Sequence, residues 1–147
     1  MTAEQIAANL AQQFEGFSST PYQDPSGIWT IGYGSTYDPM GNHITENTPI
    51  ISQDEALIWL ENTMRSAFYV ITEYVKVTIS DNQKAALADF IYNIGVGNFV
   101  NSTLLKILNE GDYSGAGRQL LVWDISDGEV LPGLLRRRQA ELGLFNT

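Results

Sequence analysis

The apolar residues of this chain follow two rhythms. From Ser52 onward, Leu57, Leu60, Met64, Phe68, Ile71 and Val75 recur every three or four positions, the spacing that lines one face of a helix, and they predict one long amphipathic helix. Leu87, Phe90, Ile91 and Ile94 predict the inward face of the next, closed by Gly95 and Gly97. Leu104, Leu105 and Leu108 predict a third, stopped by Gly111. Leu120 and Trp123 share an inward side, and Leu135, Leu142 and Phe145 mark a last helix with Pro132 near its first turn, where a missing N–H costs nothing. Ile6, Leu10, Phe14 and Phe17 carry the helical period at the N-terminus. Thr2/Gln5, Ser52/Glu55 and Ser80/Gln83 each place a hydroxyl three residues before Glu or Gln, the pattern of a capping box. The first helix is expected to end near Gly16, with Glu15 in its last turn.

Residues 18–36 change to a period of two: Trp29, Ile31 and Tyr33 alternate with Thr30, Gly32 and Gly34, as in a strand. Asp24-Pro25-Ser26-Gly27 is a strong turn signal, because Pro presets φ and Gly tolerates positive φ. The segment reads as a β-hairpin with Thr20 to Asp24 as its first strand, and a third short strand is expected around His43 to Thr45. The architecture is α+β, with a small β-hairpin lobe and a larger helical lobe joined by the long helix, and a cleft between them suited to an extended substrate. The chain, residues 1–147, reads as one domain. Its β-containing lobe covers about 14–52 and its helical lobe about 53–147, with helix 3–13 packed on the latter. No internal repeat is evident.

Composition narrows the chemistry. Apolar content of 44% and charged content of 17% over 147 residues describe an ordinary globular protein. Without cysteine there is no disulfide, thiol nucleophile or Cys-based zinc site. His43 is the lone histidine, no G-x-S-x-G elbow is present to receive it, and in a strand or loop it reads as an ordinary surface residue. No metal site or cofactor is expected. The N-terminal residues form neither a basic signal region nor an apolar anchor, so the expectation is a soluble protein with no integral membrane association. Asp and Glu number 17 against 8 Lys and Arg, a net charge of -9. That balance argues against nucleic acid as a partner.

Glycoside hydrolysis needs a carboxylic acid to protonate the leaving oxygen, and a second polar group, often a carboxylate, to hold water or stabilise the transition state. Glu15 at a helix end and Asp24 at a hairpin tip could supply these from opposite sides of a cleft. If the hairpin pairs Asp24 near Ile28, Asp24 and Thr30 become diagonal neighbours on one face. A threonine hydroxyl both donates and accepts, so it can orient a water while the carboxylate takes its proton. Taken singly, each residue has an ordinary explanation: a solvated charge, a turn residue before proline, a strand threonine.

Their context is more specific. Phe14-Glu15-Gly16-Phe17, then Tyr22 to Gly34 with its Gly27-Ile28-Trp29-Thr30-Ile31-Gly32-Tyr33-Gly34 run, resembles the signature of phage-type lysozymes, glycoside hydrolase family 24. That family carries a Glu, eight residues, an Asp, five residues and a Thr, matched by Glu15, Asp24 and Thr30. The likeness continues at Asn93 to Phe99, Ser102 to Leu105, Gly111 to Tyr113, Trp123, and Leu131 to Leu134 with Arg136, Arg137 and Arg138. It implies a two-lobed endolysin that cleaves the β-1,4 bond between N-acetylmuramic acid and N-acetylglucosamine in peptidoglycan. It implies Glu15 as general acid, Asp24 and Thr30 as positioners of water, inversion, and no cofactor. Ser35 stands where many relatives have histidine, a change that bears on a lobe contact rather than on activity.

The resemblance also suggests substrate-binding residues. Asn93 is a helix-end turn residue or a donor to a sugar amide. Trp123 and Tyr33 are packing residues or sugar contacts. Of Arg136, Arg137 and Arg138, at most one or two can face the cleft, since consecutive helix positions point about 100° apart, and one could pair with Glu15 or a neighbouring acid. Competing readings are a lytic transglycosylase, a non-catalytic cell-wall-binding module and a virion protein of the same fold. The expected enzyme is a monomer that waits in the host cytoplasm until released to the wall. Its acidity opposes approach to an anionic wall, which points to a salty medium or a wall of lower charge.

Overall fold

All three capping boxes form. Thr2 Oγ1 accepts from the Gln5 N–H at 3.1 Å while Gln5 Oε1 accepts from the Thr2 N–H at 2.9 Å, and Ser52/Glu55 and Ser80/Gln83 repeat the arrangement. They open helices α1 (Ala3–Gln12), α2 (Gln53–Tyr74) and α3 (Asp81–Ile94). The structure, a computed structural model, describes residues 1–126 and 128–147. Between α1 and α2 lie strands β1 (Ser18–Gln23) and β2 (Trp29–Gly32). After α3 come α4 (Val96–Val100), α5 (Thr103–Asn109), α6 (Tyr113–Leu120), the short strands β3 (Ile125–Ser126) and β4 (Glu129–Val130), and α7 (Pro132–Phe145).

Helix α3 is the centre of the molecule. From Ala85 to Ile91 every residue is buried, as expected of a helix surrounded on all sides. Helices α1, α2 and α7 pack around it. Ala7, Ala8 and Ala11 on α1 meet a helix rich in Ala85, Ala86 and Ala88, small side chains that let two backbones approach closely. Leu60, Met64 and Ile71 of α2 close another side of the core.

Strands β1 and β2 pair antiparallel, Tyr22 opposite Thr30 and Gln23 opposite Trp29. Gly32 ends β2 at φ +66°, where a Cβ would stand 3.1 Å from Ala56 Cβ and 3.2 Å from Ile51 Cδ1. A missing side chain thus lets the hairpin seat on the first turn of α2.

Two expectations are corrected. Helix α1 ends at Gln12, and Glu15 lies past it, its N–H reaching back to the Ala11 carbonyl at 3.0 Å. The third strand is reduced to an isolated bridge between Tyr37 and His43, whose rings lie 4.3 Å apart. Asp38 takes the amides of Met40 and Asn42 into a turn, which removes them from any ladder. Helix α4 and the β3–β4 pair carry no periodicity long enough to announce them. The Asp-Gly dipeptide at 127–128 is a hairpin signal in the sequence, although residue 127 lies outside the described residues.

Candidate active site

Arg137 organises the site. It sits on α7, 122 residues from Glu15, and its Nη1 donates to Glu15 Oε1 at 2.7 Å. Its other edge grips Asp89 on α3 through two parallel bonds, Nε to Oδ2 at 3.0 Å and Nη2 to Oδ1 at 2.7 Å. Asp89 is wholly buried and Arg137 nearly so, whereas the Glu15 side chain keeps 25% of its surface exposed. Burial works against the charge on Arg137, but the hydrogen bonds and charges of Asp89 and Glu15 outweigh it and raise the guanidinium pKa above its ordinary value. The guanidinium also lies 5.6 Å over the Phe14 ring. Glu15 is therefore aimed from behind and open in front.

In front of it lies a cleft of about 720 Å³, walled by Gln13, Phe14 and Glu15, by Asn93 at the end of α3, and by Leu131 to Leu134 with Arg136 and Arg137. From the hairpin side, Gly34 approaches so closely that a Cβ there would stand 3.7 Å from Glu15 Oε2 and 3.1 Å from Tyr92 Oη. Tyr92 Oη donates to the Tyr33 carbonyl at 3.0 Å. Burial, and then the charge of Glu15, push its pKa up and keep it a neutral donor.

Asp24 and Thr30 stand on the hairpin in the relation that Asp24–Ile28 pairing requires: the Asp24 N–H donates to the Ile28 carbonyl at 2.9 Å. Asp24 Oδ1 accepts from the N–H groups of Ser26 and Ile28 at 2.8 and 2.9 Å. Those two bonds fix the carboxylate and leave Oδ2 for other partners. Thr30 is 5% exposed, and its hydroxyl donates to the Ile28 carbonyl at 3.0 Å, which leaves its lone pairs to accept. Neither residue lines the cavity that holds Glu15.

Asn93 does line it. Its Oδ1 accepts from Arg138 Nη2 at 2.7 Å. Arginine has no acceptor, so this bond fixes the orientation of the amide and frees its NH₂ group for another partner. Tyr33 is 3% exposed, its ring 5.5 Å from Phe17 and its hydroxyl accepting from Gln53, and it does not line this cavity. Trp123 packs edge-on against Phe90 at 5.9 Å, and it too is absent from the cleft wall. The three consecutive arginines diverge: Arg136 is exposed at the cleft edge, while Arg137 and Arg138 are buried.

Two buried acids beside the site escaped the sequence reading. Asp89 is a single acid in the apolar run Ala85 to Ile91, and such an interruption on a core helix is itself a signal of a buried charge pair. Glu141 follows Arg138 by three positions, helical pairing distance. It is wholly buried with its Oε1 2.7 Å from Arg138 Nε. Burial, and then the charge of Asp89, raise its carboxyl well above the ordinary glutamate range. Among the described residues, no group of three or more His, Cys, Asp or Glu side chains is placed to hold a metal ion.

Residues 12–141 match the family model described as phage lysozyme. The chain belongs to the phage lysozyme family, and with it to the lysozyme hydrolases. It is 37% identical over 144 residues to an endolysin of Acyrthosiphon pisum secondary endosymbiont phage 1, covering 94% of this chain and 93% of that one. It is 36% identical over 132 residues to the SAR-endolysin of Escherichia phage Mu, covering 90% of this chain and 74% of that one. Among solved structures, a point mutant of P22 lysozyme superposes with a TM-score of 0.86 at 30% identity, covering 96% of this chain and 95% of the other.

Proposed function

We propose that this protein is an endolysin muramidase that hydrolyses the β-1,4 bond between N-acetylmuramic acid and N-acetylglucosamine. Glu15 protonates the leaving oxygen. Asp24 and Thr30 hold the attacking water on the opposite face of the sugar, and the anomeric carbon inverts. The observation that carries this reading is Glu15 itself, a quarter-exposed carboxyl in a cleft wall, aimed by a buried arginine. Asp24 Oδ2 is the base for the water and the lone pairs of Thr30 steer it. The free NH₂ of Asn93 donates to a sugar substituent, while Tyr33 and Trp123 support the fold around the cleft.

The whole chain acts as one catalytic unit, its β-containing part over about 14–52 and its helical part over about 53–147. It works as a monomer on the glycan strand and does not bind nucleic acid, in keeping with its net charge of -9. No helix among the described residues is long and apolar enough to cross a membrane. The enzyme is held in the host cytoplasm until it is released to the wall.

Glu15→Gln is expected to lower turnover on purified peptidoglycan by about 10²–10⁴-fold, the usual scale for losing a general acid. Near-normal activity in the folded variant would sink the assignment. NMR of the first products should show the α-anomer. An early β-anomer would mean retention and make Asp24 a nucleophile, whereas 1,6-anhydro products by mass spectrometry would mean a lytic transglycosylase.

A further inference from the structure

Five charged side chains meet where α3 crosses α7: Glu15, Asp89, Arg137, Arg138 and Glu141. All but Glu15 have side chains at most 5% exposed. Three carboxyl groups therefore share two guanidiniums in a place that water hardly reaches. With every group ionised the cluster carries one excess negative charge, and a buried excess charge is costly. Glu141 relieves it by keeping its proton, for its carboxyl is pushed up by burial and by Asp89. Arg138, its Nε 2.7 Å from Glu141 Oε1, pulls the other way, as does Arg137, but burial and Asp89 outweigh them.

The remaining groups around Glu15 are few. From α3, Asp89 and Tyr92 face it. From α7 come Arg137, Arg138 and Glu141, with Arg136 exposed at the cleft edge. On the hairpin side Tyr22 is a charge neighbour of Tyr92, and α1 carries only Glu4, in its first turn at the far end.

We propose that Asp89 is a positioning residue of the active site: its two-point grip on Nε and Nη2 holds the guanidinium so that Arg137 Nη1 is aimed at Glu15. This rests on Glu15 being the proton donor. Asp89 touches neither substrate nor reacting atoms and acts through Arg137.

Asp89→Asn keeps the shape but leaves Arg137 a single acceptor oxygen, so the two-point grip is lost. Its kcat on purified glycan should fall about tenfold or more while KM stays within about twofold, because Asp89 touches no substrate. Glu141→Gln, buried in the same cluster but bonded to Arg138 rather than Arg137, should keep wild-type kcat. Arg137→Lys keeps a charge but cannot span both acids with a planar fork, and it should lose kcat as Asp89→Asn does. Wild-type kcat in a folded Asp89→Asn, or a loss shared equally with Glu141→Gln, would overturn the proposal. If Asp89→Asn does not fold, wild-type kcat in Arg137→Lys would overturn it instead. Retained activity in Glu15→Gln would defeat the assignment of the acid and leave the Asp89 comparison to be read by itself.

Discussion

Burial and the charge of Asp89 raise the Glu141 carboxyl well above 4.5, the ordinary glutamate value that the unfolded chain keeps. Its folded pKa is raised, so its contribution to stability is complete below that value and is lost as pH climbs toward the folded one. Over that window the group makes unfolding easier by at most about 1.4 kcal/mol per pH unit. Glu141→Gln removes the effect. Denaturant titrations from pH 4 to 8 should show the variant gaining on the wild type as pH rises, and parallel curves would show that Glu141 is ionised in the fold. Residues of this kind are poorly legible in a sequence. Glu15, Asp24 and Thr30 stand out because their spacing and glycine-rich surroundings form a motif, and a pairing of Glu15 with one of three arginines can be anticipated. Which arginine, and the acid behind it, depends on how α7 is rotated against α3. No local pattern encodes that angle.

At the level of elements, local chemistry is the better guide. Each capping box names a helix start to the residue, since two side chains there satisfy backbone N–H groups that the helix itself cannot. Ends are less readable. Phe14 and Phe17 continue the helical spacing of α1 past Gln12, but their packing is tertiary: Phe14 lies under Arg137 and Phe17 against Tyr33. The hairpin is legible from alternation and its turn, though not its dependence on Gly32. Gly32→Ala must place a methyl 3.1 Å from Ala56 Cβ in a backbone conformation that L-residues avoid. A loss of about 1–3 kcal/mol is expected, the scale of overpacking a tight contact, measured by urea denaturation. Wild-type stability in this variant would show that the hairpin can lift from α2 at little cost.

For the molecule as a whole, the charge of -9 acts at longer range than any single pair. Two of the eight basic residues, Arg137 and Arg138, are buried and present no charge to an approaching wall. Raising salt from about 0.01 to 0.15 M shortens the screening length from about 30 to 8 Å. Lysis of an anionic wall should therefore speed up over that range in turbidity assays, and a steady fall from the lowest salt would refute the repulsion. The 122-residue separation of Glu15 from Arg137 also orders events in time. A ribosome working at about 5–20 residues per second adds Arg137 roughly 6–24 s after Glu15. Until α7 has been made, has left the exit tunnel and has docked on α3, the acid has nothing to aim it. A half-made copy therefore carries the acid without the arginine that aims it.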